Sequence, residues 1–132
     1  MGKAYSYKCD KCSHVETMFT GIGFRYPSML EELKAEILEG KHGTKAEEAL
    51  KKYPEANVDF EEKFYRCPNC GKVECKKHIM ISTDEGNRIQ VKYKCSRCNE
   101  TMLMMVRIPE SMKCPKCSGT LHIDLKDIVL WD

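Results

Sequence analysis

The chain has 132 residues, of which 42% are hydrophobic and 32% are charged, and its formal net charge is +2 at neutral pH. This balance excludes a disordered charge tract, and the longest apolar run, residues 102–106, is far too short to cross a membrane. No apolar stretch precedes Cys9, so we expect no secretory signal and a reducing, cytoplasmic compartment. In that compartment cysteines are expected to bind metal or carry redox chemistry rather than to form disulfides.

Nine cysteines dominate the composition, and eight of them form four Cys-x-x-Cys turns, which we call knuckles. The four knuckles are Cys9/Cys12, Cys67/Cys70, Cys95/Cys98 and Cys114/Cys117, and the ninth cysteine is Cys75. Two thiolates separated by two residues of a tight turn can reach one tetrahedral metal, and two knuckles complete a four-cysteine site. The eight paired cysteines are therefore predicted to hold two metal ions, zinc or iron.

A short repeat precedes the knuckles, because each follows a basic residue and, before that, a tyrosine or methionine. The four units are Tyr7-Lys8, Tyr65-Arg66, Tyr93-Lys94 and Met112-Lys113. In a strand residues i and i+2 share a face, so the Tyr or Met is expected to pack beside the metal-facing first cysteine while the basic side chain points away. The repeat predicts a strand that runs into each knuckle.

These units resemble the zinc-ribbon and rubredoxin-like families, most clearly at residues 67–71, Cys-Pro-Asn-Cys-Gly, and 114–118, Cys-Pro-Lys-Cys-Ser. The chain also resembles bacterial proteins with two zinc ribbons. The resemblance covers the knuckles and their flanks. It implies a small metal-bound α+β fold with two rubredoxin-like zinc ribbons made of short antiparallel β-hairpins, each holding one zinc ion with four cysteines.

Two helices are predicted between the first and second knuckles, where they form an insertion at about 28–53. Residues 21–24 are expected to form a tight turn into this insertion. Residues 28–31, Ser-Met-Leu-Glu, form a capping-box pattern that predicts a helix at about 29–39, with Gly40 as its C-terminal cap. A second capping pattern begins at Thr44 and predicts a helix at about 45–53, which Pro54 ends.

Strands are predicted beside the later knuckles. Residues 60–66 and 72–83 flank the second knuckle, and residues 84–87 are expected to form a turn at a domain boundary. Beyond it, residues 101–108 are long enough to pair as a strand, and residues 120–125 alternate polar with apolar side chains as a third strand should. The second half of the chain therefore resembles one complete ribbon.

The four knuckles can combine in three ways. Pairing neighbours encloses 54 residues (13–66) and 15 residues (99–113), whereas the alternatives enclose 24 with 101 or 82 with 43. Loop-closure entropy favours neighbours by only about 1 kcal/mol, which is small beside the roughly 10–16 kcal/mol of a structural zinc site. The ribbon pattern in residues 91–125 therefore favours the pairing of neighbouring knuckles. It predicts two domains, ribbon 1 over 1–83 and ribbon 2 over 88–132.

Cys75 and His78 offer an alternative, because with the second knuckle they would complete one compact ligand set. On a strand the two residues would lie on opposite faces, and this set would leave the first knuckle without a partner. Cys75 is therefore predicted to be a free thiol or a small core residue. His14, His42 and His122 are predicted to be ordinary surface or strand residues.

The sequence predicts a non-enzymatic protein, because four cysteines around each metal leave no open position for water or substrate. The metals are predicted to be structural, and the remaining surfaces to meet a protein or nucleic-acid partner. A local basic face is expected at Lys72, Lys76, Lys77, Lys92, Lys94 and Arg97. Eight thiolates and two zinc ions would nevertheless shift the formal charge from +2 to −2, which gives little support for phosphate binding.

Two other functions stay open. Iron bound by the same eight cysteines would make a rubredoxin-like electron-transfer protein, since four thiolates accept either metal. One or more Cys-x-x-Cys pairs could instead be thiol oxidoreductase centres, although the βαβ pattern expected around such centres is absent from the sequence. No membrane association is expected.

Overall fold

Two four-stranded antiparallel sheets and two helices make up the described part of the computed structural model, which covers residues 2–21 and 26–131. The helices are α1 (Tyr26–Leu38) and α2 (Thr44–Lys52). The strands are β1 (Gly2–Cys9), β2 (Val15–Thr20), β3 (Asn57–Arg66), β4 (Val73–Ser82), β5 (Arg88–Gln90), β6 (Leu103–Met104), β7 (Ser111–Lys113) and β8 (Thr120–Trp131). No helix in this part of the chain is long and apolar enough to cross a membrane. Most of the turn predicted at 21–24 lies outside the described residues.

Each sheet is built from strands that are distant in sequence. Sheet A has the order β2-β1-β8-β7, so the first and last strands are hydrogen-bonded neighbours. Sheet B has the order β5-β4-β3-β6. Residues 84–87, which were predicted to mark a domain boundary, form the turn of the β4–β5 hairpin inside sheet B. Both sheets therefore combine strands from the two predicted ranges, 1–83 and 88–132.

Helix α1 confirms the first predicted helix but begins three residues before the predicted start. Pro27 occupies its second position, where a missing amide proton breaks no helical hydrogen bond, so Ser28 lies inside the first turn instead of capping it. Gly40 ends the helix as predicted. Its φ is 84°, its amide donates to the carbonyl of Ile37, and the next amide donates to the carbonyl of Glu36, both at 3.1 Å.

Helix α2 agrees with the second predicted helix to within one residue at each end. It begins at Thr44, and its N-cap is Gly43, whose φ of 100° suits glycine. No side chain caps this helix, so the capping pattern that begins at Thr44 correctly located the helix but not its cap. The amide of Tyr53 donates to the carbonyl of Ala49 at 2.9 Å and closes the last turn before Pro54.

The two helices pack on one face of sheet B and form a core that is separate from the knuckles. Alternate residues of β3 and β4 contribute to it, as expected for strands with one buried face. The ten buried residues of this core are Leu33, Ile37, Ala46, Leu50, Ala56, Val58, Phe60, Ile79, Ile81 and Val91. None of these ten is a cysteine, and each large aliphatic side chain among them contributes roughly 1.5–3 kcal/mol by burial. This core therefore contains no candidate metal ligand.

A second core joins the two sheets. The Phe64 ring of sheet B lies with its centroid 6.2 Å from the ring centroids of both Tyr5 and Tyr7 in sheet A. Leu121 of β8 belongs to the same cluster, and the Tyr7 hydroxyl donates to the carbonyl oxygen of Pro109 at 2.7 Å. Because Tyr7 and Leu121 are almost fully buried, this core adds to the backbone hydrogen bonds that hold β1 beside β8.

The strand predicted at 101–108 is mostly absent. It is reduced to the two residues of β6, which pair with β3 rather than with the predicted third strand. The amides of Met102 and Met105 donate to the carbonyls of Tyr93 and Phe64, both at 2.8 Å, and hold this segment against sheet B. The third predicted strand is present as β8, which pairs with β1 and β7. The complete ribbon expected in the second half of the chain is therefore not formed.

Candidate metal centres

The eight paired cysteines lie in two groups of four, and within each group all four Sγ atoms are within 4.8 Å of one another. Site 1 contains Cys9, Cys12, Cys114 and Cys117. Site 2 contains Cys67, Cys70, Cys95 and Cys98. Sulfur–sulfur distances between knuckles are 3.4 Å (Cys9–Cys117) and 3.7 Å (Cys12–Cys114) in site 1, and 3.2 Å (Cys67–Cys98) and 3.6 Å (Cys70–Cys95) in site 2. A tetrahedron with metal–sulfur bonds of about 2.3 Å has edges of about 3.8 Å, so both groups fit one tetrahedral ion.

The predicted pairing of neighbouring knuckles is wrong. The first knuckle combines with the fourth and the second with the third, which encloses 101 residues (13–113) and 24 residues (71–94). This arrangement costs about 1 kcal/mol more loop-closure entropy than pairing neighbours. The pairing of β1 with β8 outweighs that cost, because burying Tyr7 or Leu121 alone contributes roughly 1.5–3 kcal/mol. The prediction of one complete site in each half of the chain is therefore wrong as well.

All four knuckles share one backbone hydrogen bond. In each of them the amide of the first cysteine donates to the carbonyl oxygen five residues later, which closes the turn. The four bonds are Cys9 to His14 (3.0 Å), Cys67 to Lys72 (2.9 Å), Cys95 to Glu100 (2.7 Å) and Cys114 to Gly119 (3.0 Å). The sequence repeat thus produces a repeated local structure, although the knuckles belong to two different sheets.

Backbone amides also donate to the sulfurs of site 1. The four bonds run from Lys11 and Cys12 to Cys9 (both 3.4 Å), from Lys116 to Cys114 (3.4 Å) and from Gly119 to Cys117 (3.2 Å). The amide of Cys12 is the foremost cause of a pKa of the Cys9 thiol that is lowered to about 6. Such donors stabilise the thiolate, which is the form that binds metal.

Site 2 has amide donors of the same kind and one side-chain donor. The amide of Cys70 donates to the sulfur of Cys67 at 3.5 Å. The amide of Glu100 foremost, and then the side chain of Asn69, lower the pKa of the Cys98 thiol to about 6. Asn69 lies in the second knuckle and Cys98 in the third, so a side chain of one knuckle lowers the pKa of a thiol in the other. Sequence reasoning missed Asn69, whose role depends on which knuckle faces it.

The residue after the second cysteine distinguishes the two sites. In site 2 these residues are Gly71 and Asn99, with φ angles of 78° and 65°. Their amides donate to the carbonyl of the first cysteine in the same knuckle, both at 2.9 Å. Among the residues that the structure describes, Asn99 is the only non-glycine residue with a positive φ, a conformation that asparagine tolerates better than most residues. Site 1 has serines at both positions, Ser13 and Ser118, without a positive φ.

The predicted alternation beside the knuckles is confirmed by burial. Three of the four large residues are buried and one is half-buried: Tyr7, Tyr65, Met112 and Tyr93. The basic residues that follow them are all exposed: Lys8, Arg66, Lys94 and Lys113. At site 2 the rings of Tyr65 and Tyr93 pack edge to face with centroids 5.3 Å apart. Each knuckle is therefore preceded by a packed side chain, which fixes the strand that leads into it.

Cys75 and His78 belong to neither group. Both lie on β4, where the Cys75 thiol donates to the Met18 sulfur at 3.7 Å and His78 Nδ1 lies 3.0 Å from the Tyr65 hydroxyl. Burial raises the pKa of the Cys75 thiol to about 11, so this thiol is neutral at neutral pH. The alternative ligand set of Cys75 and His78 with the second knuckle is not assembled among the described residues.

The remaining candidate residues mostly contact acidic side chains. His14, His42 and His122 lie 2.8, 2.9 and 3.3 Å from carboxylate oxygens of Glu16, Glu36 and Asp10. Within the predicted basic face, Lys72 and Lys76 both pair with Glu74, at 3.0 and 3.6 Å. This face is therefore partly neutralised by a carboxylate of the same chain.

The fold and the two sites together define a small α+β protein with two tetra-cysteine groups compatible with structural metal binding. All eight candidate donors are sulfurs, the ligand set that zinc and iron accept in tetrahedral geometry. No protein-family model matches the chain, and neither the curated proteins nor the solved structures contain a significant match. What the protein does is therefore argued from its own residues.

Proposed function

We propose that this protein is a non-enzymatic binding module in which each tetra-cysteine group holds one structural zinc ion. The observation that supports this most strongly is the geometry of the two groups, with four sulfurs inside 4.8 Å and backbone amides donating to them. Zinc with four cysteine ligands and closed coordination is the common structural metal site of small cysteine-rich domains. The ion would supply a rigid cross-link between two knuckles.

A catalytic role for the metals is not proposed, because four thiolates fill a tetrahedral coordination sphere. A catalytic zinc site keeps one position open for water or substrate. In both groups each sulfur has its cross-knuckle neighbours within 4.8 Å, and among the described residues no further potential ligand joins either group. The proposed contribution of the metals is therefore to hold strands in place.

The two zinc ions would cross-link different parts of the fold. Site 1 would tie the end of β1 to the end of β7, and so the first part of the chain to the last. Site 2 would tie the β3–β4 connection to residues 95–98. A structural zinc site is worth roughly 10–16 kcal/mol of apparent binding free energy, comparable to the whole stability of a domain, about 5–15 kcal/mol. Metal binding and folding are thus expected to be coupled.

Metal content tests the proposal directly. The protein is produced with both zinc and iron supplied, and its metals are counted by elemental analysis and by native mass spectrometry. We expect two zinc ions per chain, one for each group. Chelation should remove both and lower the unfolding temperature. Clearly fewer than two tetrahedral metals per chain, or chelation that leaves stability unchanged, would contradict the proposal.

The same preparation tests the alternatives. A red protein with a reversible one-electron couple would indicate rubredoxin-like iron sites formed by the same eight cysteines, whereas a colourless protein with zinc alone after growth with ample iron excludes them. Thiol oxidoreductase activity would require a Cys-x-x-Cys pair free of metal, so eight metal-protected thiols would exclude that function. Cys75, which lies outside both groups, should be the one thiol that metal does not protect, and it should react slowly because burial raises its pKa to about 11.

A further inference from the structure

Strand β7 is an open edge of sheet A. The sheet order places β8 on one side of β7 and no strand of the described chain on the other. Hydrogen bonds from Ile123 to Glu110 and from Cys114 to Gly119, both 3.0 Å, fix which residues of β7 turn their backbone toward β8. In an antiparallel pair of strands, every second residue directs its amide and carbonyl groups toward the neighbouring strand. The amide and carbonyl groups of Ser111 and Lys113 therefore face away from β8. These groups are available to another strand.

A cleft of about 490 Å³ lies beside this edge, between sheet A and the second knuckle. One wall is formed by β7 and Thr120, and the other by Arg66 and the second knuckle with its neighbours up to Val73. The residues that line the cleft are Arg66, Pro68, Asn69, Cys70, Gly71, Val73, Met105, Pro109, Ser111, Met112, Lys113 and Thr120. None of them is aromatic, so the cleft offers no surface on which nucleic-acid bases could stack.

An apolar loop borders the same cleft. Leu103, Val106 and Ile108 are 59%, 92% and 38% exposed. They are not on a frayed segment, because the amide of Met102 donates to the carbonyl of Tyr93, beyond the end of β5, and the amide of Met105 donates to the carbonyl of Phe64 in β3, both at 2.8 Å. Three apolar side chains held in water on an anchored loop favour contact with an apolar partner surface.

Two basic and no acidic side chains line the cleft. Arg66 and Lys113 line it and are exposed, and Arg107 lies on the apolar loop. None of these three forms an ion pair with any residue that the structure describes, in contrast to Lys72 and Lys76, which share Glu74. The unpaired charges are complementary to an acidic partner.

We propose that an extended acidic polypeptide segment with interspersed apolar residues binds in this cleft and adds to β7 as a fifth strand of sheet A. Its backbone pairs with Ser111 and Lys113, its acidic side chains meet Arg66 and Lys113, and its apolar side chains contact the loop that carries Val106. Backbone pairing provides affinity in this mode, and side-chain contacts provide specificity. This inference rests on the proposed function, since it names the partner of the binding module.

The test uses the full chain with its zinc content already measured, so that loss of metal and loss of binding are seen separately. The probes are a fluorescein-labelled heptapeptide EVEVEVE, the basic peptide KVKVKVK and EVEVEVE with N-methyl groups on alternate residues. We expect the acidic peptide to bind at least about tenfold more tightly than either control. Its binding should shift the amide resonances of Ser111 and Lys113 and slow their hydrogen exchange.

Charge reversal locates the binding site. Arg66→Glu combined with Lys113→Glu should weaken EVEVEVE binding by at least about tenfold, while the matched pair Lys45→Glu and Lys52→Glu on α2 should not. Several results overturn the proposal: no binding at about 1 mM peptide, equal binding of the N-methylated peptide, or resonance shifts at β2 instead of β7. Tighter binding of oligouridylate at the same residues would overturn it in favour of RNA. In each case two bound zinc ions would leave the proposed structural role intact.

Discussion

The two cysteine sites have the same local structure but close very different lengths of chain. Each knuckle has the same hydrogen bond from the first cysteine to the carbonyl five residues later. Site 1 nevertheless joins knuckles separated by residues 13–113, whereas site 2 joins knuckles separated by residues 71–94. The comparison shows that the knuckle sequence determines the turn but not the knuckle with which it shares a metal.

The sites also differ in what supports them. Site 2 is attached to sheet B, whose other face carries the core of α1 and α2, which contains no cysteine. Site 1 is attached to sheet A, which carries no helix within the described part of the chain, and its cysteines pack in one cluster with buried residues such as Tyr7 and Leu121. Sheet A should therefore depend on its metal more strongly than sheet B does.

Removing one cysteine ligand from either site should reveal the largest difference between the two sites in how much structure is lost. Cys114→Ser and Cys95→Ser should each release one metal ion. Opening site 1 frees a loop of 101 residues rather than 24, a difference of about 1.3 kcal/mol in closure entropy, and it also releases β1 from the fourth knuckle. We therefore expect Cys114→Ser to expose the amides of sheet A to rapid hydrogen exchange. Persistent protection of Tyr5 and Leu121 in that variant would contradict the comparison.

Two glycine substitutions should separate crowding at site 1 from backbone strain at site 2. A Cβ on Gly119 would lie 2.8 Å from the Cys9 sulfur and 2.9 Å from Asp10 Oδ1, so Gly119→Ala forces the two knuckles apart at a cost of about 2–3 kcal/mol. A Cβ on Gly71 meets nothing closer than Arg66 at 4.0 Å, but its φ of 78° should cost about 1–2 kcal/mol.

Urea denaturation of the metal-loaded variants measures both costs, and competition with a zinc indicator measures the affinity of each site. Gly119→Ala should weaken one zinc site and Gly71→Ala should mainly lower stability. An equal or larger loss for Gly71→Ala would show that the close approach at Gly119 is relieved by small shifts.

Asn99 should show a smaller effect of the same strain. Its φ of 65° is left-handed, so Asn99→Ala is expected to lower stability by about 1 kcal/mol. Asn99→Gly should be close to neutral, because glycine adopts this conformation freely but is more flexible in the unfolded chain. Thermal unfolding of the two variants gives the order of their stabilities. If Asn99→Gly lost as much stability as Asn99→Ala, the Asn side chain itself would be responsible instead.

The smallest effect on metal content is expected at Cys75. Cys75→Ser should keep both metal ions and lose about 1–2 kcal/mol of stability, because a hydroxyl replaces a thiol that packs against Met18. Cys12→Ser is the matched control and should release the metal of site 1. Loss of a metal from the Cys75 variant, with retention in the Cys12 variant, would reverse the assignment of ligands.

Features that depend on neighbouring residues were predictable. The eight cysteines, the turn at each knuckle and the burial of Tyr7 and Tyr65 follow from short patterns, since spacing and strand alternation act within a few residues. The helices also agreed to within three residues, because helical periodicity and the Gly40 cap are local signals. The capping positions at Ser28 and Thr44 were the parts that failed, since α1 begins two residues before Ser28 and the N-cap of α2 is Gly43.

The sequence by itself determined the knuckles, the helices and the separation of buried from exposed flanks. Only the tertiary structure decided which knuckles share a site, which thiol has its pKa lowered by Asn69, and that residues 101–108 leave apolar side chains in water. The physical reason is the difference in size between two free energies, that of loop closure and that of side-chain burial. Loop entropy separates neighbour pairing from the observed pairing by only about 1 kcal/mol. The burial of Tyr7 on β1 and of Leu121 on β8 contributes roughly 1.5–3 kcal/mol for each side chain and depends on strands more than a hundred positions apart in the sequence.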